Sequence, residues 1–150
     1  YMRSDKRKPN PIDYGFVGDV REVNTDILAD LIARGIVPVL SPITHDGKGN
    51  LLNTNADTIA QEAAVALAKR FDVSLIYCFE KDGVLKDEND DSSVIPLITK
   101  ADFEAYKADG TISGGMIPKL DNAFTAISKG VKEVVITSAN HILSGGTKIK

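Results

Sequence analysis

The run Val73-Ser74-Leu75-Ile76-Tyr77-Cys78-Phe79 limits what the chain can fold into more than any other stretch. It is apolar but for one serine, continuous rather than alternating, and too short for a buried helix. Those properties read as a strand covered on both faces, as in parallel sheets flanked by helices. Helical patterns lie on either side of it. Upstream, Ile59, Ala63, Leu67 and Phe71 recur on one face of a segment whose many alanines permit close packing. Downstream, Thr99 precedes Asp102 in an echo of the capping box, with Phe103 and Tyr106 facing inward and Gly110 closing the helix. Another helix runs from Gly114-Gly115 through Leu120, Ala123, Phe124 and Ile127 to Gly130. An earlier one starts at Asn24 or Thr25, carries Ile27, Leu28, Leu31 and Ile32 on one face, and ends at Gly35.

Strand-like runs alternate with these helices. They are Phe16-Val17-Gly18-Asp19-Val20, Ile36-Val37-Pro38-Val39-Leu40 and Val134-Val135-Ile136-Thr137, and Gly145-Gly146 feeds a last short strand at Thr147-Lys148-Ile149. The turn formers of His45-Asp46-Gly47-Lys48-Gly49-Asn50 predict a small hairpin ending near Leu51-Leu52. The expected fold class is therefore α/β: a three-layer α/β/α sandwich with an open, largely parallel sheet.

Composition narrows the function classes. With 150 residues, 43% hydrophobic and 26% charged, the chain reads as a globular domain able to bury a core. A net charge of −3 argues against nucleic acid and anionic membranes as partners. Arg3, Lys6, Arg7 and Lys8 form a basic run in the proline-rich residues 1–13, which are read as a linker or exposed arm. No apolar stretch approaches the roughly 20 residues that span a bilayer, and the first residues lack a signal-peptide core, so a cytoplasmic protein is expected. Cys78 is read as a small buried hydrophobe in a reducing compartment. His45 and His141 stand apart with no cysteine cluster, so they are read as surface or loop residues and no protein-held metal is expected.

Three polar clusters carry candidate chemistry. Gly114-Gly115-Met116-Ile117-Pro118-Lys119 leads a glycine turn into a helix, where unpaired backbone N–H groups and the helix dipole favour an anion such as phosphate, and Lys119 adds a full charge. The bland alternative is an ordinary loop-to-helix junction with Pro118 near its start. Asn53-Thr54-Asn55-Ala56-Asp57 opens a helix and either caps it or binds a polar substrate while Asp57 organises lysines. Glu80-Lys81-Asp82-Gly83-Val84-Leu85 leaves the C-terminal end of the 73–79 strand, where α/β sheets bind ligands. The acidic loop 86–93 is read as a solvated excursion. Phosphate donors with a lysine-organising acid suggest phosphoryl transfer, although no Walker A, H-R-D, D-F-G or G-x-S-x-G pattern occurs.

At these residues the sequence resembles the amino acid kinase superfamily, and most closely its acetylglutamate kinase branch. The likeness rests on Tyr14-Gly15-Phe16-Val17-Gly18-Asp19-Val20, on Gly35-Ile36-Val37-Pro38-Val39-Leu40-Ser41-Pro42-Ile43, on the N-x-N-A-D element at 53–57, on Gly114 to Lys119 and on Gly146-Thr147-Lys148-Ile149. It implies transfer of the ATP γ-phosphoryl group to the side-chain carboxylate of an N-acylated glutamate, an acyl-phosphate step in arginine biosynthesis. In the resemblance Lys119 and Asp57 match catalytic residues, and the reading expects both to serve one triphosphate site. Asn53 and Asn55 match substrate-binding residues. Glu80, Lys81, Asp82, Gly83, Val84, Leu85, Thr111, Ile112, Ser113, Gly115 and Met116 match the nucleotide-binding loops. ATP is the implied cofactor, with Mg2+ bound through its phosphates.

Two departures from the family pattern stand out. Phe79-Glu80 occupies the place of a Ser/Thr-Asp pair, and the N-terminal substrate lobe has no counterpart in this sequence. The expectation is thus a linker over 1–13 and a nucleotide-binding C-terminal lobe over 14–150, in a homo-oligomer joined through the other lobe. Two alternatives remain at this point: a sibling kinase for another acylated amino acid such as N-succinylglutamate, and a nucleotide-binding module that does not catalyse.

Overall fold

The computed structural model describes residues 14–150 and the backbone of two short strands before them; the other residues of 1–13, which include most of the expected linker and the basic run, lie outside the described residues. The chain forms two compact units, Tyr1–Ala63 and Ala64–Lys150.

In the first unit β1 (Met2–Arg3) pairs antiparallel with β2 (Ile12–Asp13). Helix α1 (Thr25–Ala33) starts where the sequence predicts: the Asn24 side chain accepts the Ile27 N–H, and Gly35 takes a positive φ just beyond the end. Strands β3 (Ile43–His45) and β4 (Leu51–Asn53) form the expected antiparallel hairpin. Its turn is organised by Asp46, which accepts from the Lys48 N–H at 2.7 Å and the Asn50 side-chain amide at 2.7 Å. Helix α2 (Ala56–Leu67) follows, its last residues, from Ala64 on, belonging to the second unit.

Two strands expected in this unit are absent. Residues 36–40 carry no strand, and Val37 and Val39 are 83% and 92% exposed. The apolar, β-branched composition is strand-like, but a strand exists only when a neighbour completes its ladder, and Pro38 offers no N–H to one. The run at 16–20 shrinks to a single parallel bridge, Val17 to Asn53.

The second unit contains the main sheet. Its elements are β5 (Ser74–Phe79), β6 (Leu97–Ile98), α3 (Lys100–Ala108), α4 (Met116–Ser128), β7 (Glu133–Ser138) and β8 (Thr147–Ile149), with strand order β5-β7-β8-β6. Pairs β5·β7 and β6·β8 are parallel, with Tyr77 opposite Ile136 and Ile98 opposite Ile149. The β7·β8 pair is antiparallel, because the connection from Ser138 to Thr147 is too short for a crossover helix. The sheet is thus largely parallel, with one antiparallel junction. Helix α4 packs on β7 and β8, and α3 on β6 and α4. Phe103, Ile98, Leu120, Val134 and Ile149 are fully buried, each large side chain contributing about 1.5–3 kcal/mol from area removed from water. Phe103 and Phe124 stack with ring centroids 5.5 Å apart, tying α3 to α4.

Strand β5 departs from expectation. Among the described residues β5 has one sheet neighbour, β7, and its burial alternates: Leu75 and Tyr77 are buried while Ser74, Ile76 and Cys78 are exposed. Cys78 is therefore an exposed thiol and not the buried hydrophobe the apolar run suggests.

Candidate functional site

A cavity of about 720 Å³ opens in the second unit, at the C-terminal end of β5 and the first turn of α4. Its walls come from three segments that the sequence singles out. Glu80, Lys81, Gly83, Val84 and Leu85 line it from the loop after β5. Thr111, Ile112 and Ser113 line it from the turn before α4, and Met116 and Lys119 from the helix itself. Cys78, Phe79, Glu88 and Ile136 complete the lining.

Each wall has a local cause. The loop after β5 is fixed from below by Thr147, fully buried on β8, whose Oγ1 accepts the Val84 N–H at 2.8 Å. A Cβ on Gly83 would come within 2.7 Å of that same Oγ1 and of Val94 Cγ1, so only glycine allows the loop to pass this close. The Leu85 to Val94 bridge and the Lys86 N–H donating to the Ser93 carbonyl at 2.9 Å fold the acidic loop 86–93 into a closed excursion. Asp87 and Asp90 stiffen it by accepting the Asn89 and Ser92 N–H groups, each at 2.9 Å. That rigidity brings Glu88 to the cavity wall. Residues 86–92 are exposed, as the composition of this acidic loop predicts, and nothing in that composition marks Glu88 from its neighbours.

On the opposite wall, the Ile112 N–H donates to the Tyr106 carbonyl at 2.9 Å and its side chain is buried, which leaves Thr111 and Ser113 at the surface of the turn. Gly114 follows at φ +54, and Gly115 is the N-cap of α4, with no side-chain hydrogen bond to cap the helix. The Met116 N–H donates to the Ser113 carbonyl at 3.2 Å and Pro118 carries no N–H, so what the first turn of α4 brings beside the cavity is the positive end of a 13-residue helix.

Charges around the cavity are arranged unequally. Lys81 pairs with Asp91 at 2.6 Å, which raises its pKa above the ordinary lysine value, and both groups are well exposed. Asp82 does not line the cavity. Its carboxylate lies 2.8 Å from His141 Nδ1, and hydrogen bonds from Ser138 and then His141 hold it below the usual carboxylate range. This contact between residues 59 apart along the chain has no local sequence signal. Among the described residues of the second unit no carboxylate pairs with Lys119; its Nζ sits 3.5 Å from the centroid of the Phe79 ring. No group of three or more His, Cys, Asp or Glu side chains that could hold a metal ion occurs among the described residues.

Gly115 is the cap of α4 and is not part of the lining. Asn53, Asn55 and Asp57 belong to the first unit. Asn55 spends its side-chain oxygen on the Thr58 N–H at 3.1 Å, capping α2, while Asn53 ends β4 with its backbone bonded to Phe16 and Gly18. Asp57 lies in the first turn of α2.

A model of the amino acid kinase family matches residues 2–138 of this chain. The chain belongs to the amino acid kinase family. Among curated members it is 65% identical over 150 residues to a protein of Bacteroides thetaiotaomicron named acetylglutamate kinase, covering 99% of this chain and 58% of that one. A protein of the same name from Parabacteroides distasonis is 64% identical over 149 residues, again with 99% and 58% covered. The chain thus spans about 58% of the length of these kinases. Among solved structures, smu.665 from Streptococcus mutans UA159 superposes with a TM-score of 0.74 at 31% identity, over 99% of this chain and 55% of that one.

Proposed function

We propose that this chain is the nucleotide-binding half of an acetylglutamate kinase, which transfers the γ-phosphoryl group of ATP to the side-chain carboxylate of N-acetyl-L-glutamate in arginine biosynthesis. One observation carries the reading: Lys119 lines a cavity together with the 80–85 and 111–113 segments, beside the first turn of α4. Phosphoryl transfer needs little covalent chemistry from the protein; it needs positioning and neutralisation of charge on the phosphate oxygens. The Lys119 ammonium and the α4 N-terminus supply both, and Val84, Leu85, Ile112 and Met116 offer an apolar wall to a base. Mg2+, when bound, neutralises charge on the phosphates; it would be held through the nucleotide, with Glu80 and Glu88 as the carboxylates of the cavity wall.

Asp57 as a lysine-organising carboxylate, and Asn53 and Asn55 as substrate-binding amides, enter the proposal on the family resemblance alone. So do the cytoplasmic setting and the homo-oligomer. The additional length of the curated relatives is proposed to supply the substrate lobe, and the exposed apolar residues 36–40 support a surface that needs such cover.

The test is steady-state kinetics of the full-length enzyme with MgATP and N-acetylglutamate. Lys119→Ala is expected to lower kcat by about 10²- to 10³-fold with an unchanged far-UV spectrum, the size found for loss of one preorganised charge-stabilising donor. Retained turnover removes the mechanism. Preference for N-succinylglutamate in the same assay would reassign the substrate.

A further inference from the structure

The loop that follows β5 is gripped by one stretch of chain, the connection from β7 to β8. Thr147 at the far end of that connection accepts the Val84 N–H at 2.8 Å. At its near end His141 Nδ1 lies 2.8 Å from Asp82 Oδ1 and 3.3 Å from Ser138 Oγ. Hydrogen bonds from Ser138 and then His141 keep the Asp82 carboxyl below its usual range, so it is ionised at neutral pH. An ionised carboxylate can only accept, which places a proton of the imidazole on Nδ1. The connection is tied down in turn: the His141 carbonyl accepts the Ser144 N–H at 3.1 Å and the Gly145 N–H at 3.0 Å. Gly146 folds back at φ +108, where a Cβ would come within 2.5 Å of the Ile136 carbonyl oxygen.

Asp82 is the one residue of the 80–85 segment outside the cavity lining; Glu80, Lys81, Gly83, Val84 and Leu85 all line it. Its side chain is spent on the connection instead. Sheet pairing fixes the chain up to Phe79, and Thr147 fixes it again at Val84, which leaves residues 80–83 between the two supports. A segment that a ligand must order subtracts that ordering cost from the ligand's affinity, and a segment already fastened does not. The Asp82 contact fastens this one within its span. Both partners are about half exposed, so the contact adds little to the core, and what it supplies is placement.

We propose that Asp82 and His141 are positioning residues for nucleotide binding: their contact fastens the 80–85 loop to the end of β7, so that Glu80 and Lys81 stand at the cavity wall before a ligand arrives. This role rests on the nucleotide reading above, and it gives Asp82 an indirect part in place of the direct nucleotide contact that the resemblance implies.

MgATP, titrated calorimetrically into the full-length enzyme without an acceptor, is expected to bind about three- to five-fold more weakly to Asp82→Ala and to His141→Ala than to the unsubstituted protein. The double variant should bind no more weakly than either single one, because each removes the same contact. Asp72→Ala is the matched control. It breaks the exposed 2.8 Å pair with Lys132 at the opposite end of β5 and β7, and should shift the thermal midpoint by an amount comparable to the loop variants while leaving the MgATP affinity unchanged. Unchanged affinity in Asp82→Ala or His141→Ala, losses that add in the double variant, or an equal loss in Asp72→Ala overturns the positioning role and leaves the nucleotide reading standing. No binding to the unsubstituted enzyme overturns the nucleotide reading, and this role with it. Either loop variant alone breaks the pair, so one that fails to fold leaves the other to decide.

Discussion

Thr147 is a residue whose role no local pattern reveals. It lies 63 positions from Val84, yet its hydroxyl satisfies the buried Val84 N–H and so sets the height of the nucleotide-loop candidate over the sheet. Thr147→Val keeps the shape and removes the acceptor, leaving a buried donor unpaired at a cost of about 1–3 kcal/mol. Urea denaturation is expected to show that loss, and Thr147→Ser, which keeps the acceptor, should recover most of it. Gly83→Ala should be at least as harmful, since its Cβ would press on the same hydroxyl and on Val94. The resemblance pointed to Gly83 and to the Gly146-Thr147-Lys148-Ile149 stretch separately; their contact is a tertiary fact. The same holds for Asp82, which sequence position assigns to the nucleotide and the fold turns toward His141 and Ser138.

Among the elements, legibility followed from whether the stabilising contacts are local. The α3 start was readable because its capping box closes within one turn: Thr99 Oγ1 accepts the Asp102 N–H at 3.2 Å, and Asp102 accepts the Thr99 N–H at 2.9 Å. Thr99→Ala should cost about 1 kcal/mol. The Asp102 carboxyl is held below its usual value of 3.8, first by the Thr99 hydroxyl and then by the Thr99 N–H. A carboxylate whose pKa folding depresses stabilises the fold above its unfolded pKa, and the contribution is lost as pH falls through the lower folded value. Asp102→Asn is therefore expected to lower the urea midpoint at pH 7, and its gap from the unsubstituted protein should narrow as pH drops below 3.8. Strands were harder to read because a strand's stability sits in its neighbours. The apolar runs at 36–40 and 73–79 look alike, but β7 pairs the second along its whole length and no strand pairs the first. Even β5, at one end of the strand order, exposes Ile76 and Cys78 on the face that composition alone assigns to the core.

For the whole molecule, apolar exposure is concentrated in the first unit, where Phe16, Ile36, Val37, Val39, Leu40, Ile43 and Leu51 are all exposed. Side chains of this kind bind hydrophobic dyes and promote association when left uncovered. The 150-residue chain is expected to enhance the fluorescence of an anilinonaphthalene dye, and Val37→Lys with Val39→Lys should reduce that signal without moving the thermal midpoint. An unchanged signal would show that these residues are covered in solution. The second unit carries a closed core and the cavity at the first turn of α4, and there the functional account stands or falls. Calorimetric titration of MgATP into the chain and into its Lys119→Met variant tests it most directly. A single saturable site, weakened about 10- to 100-fold when the ammonium is removed, is the expected result for a charge-assisted contact to phosphate. Equal affinity in the two proteins, or no binding to either, would contradict the assignment of this cavity to a nucleotide.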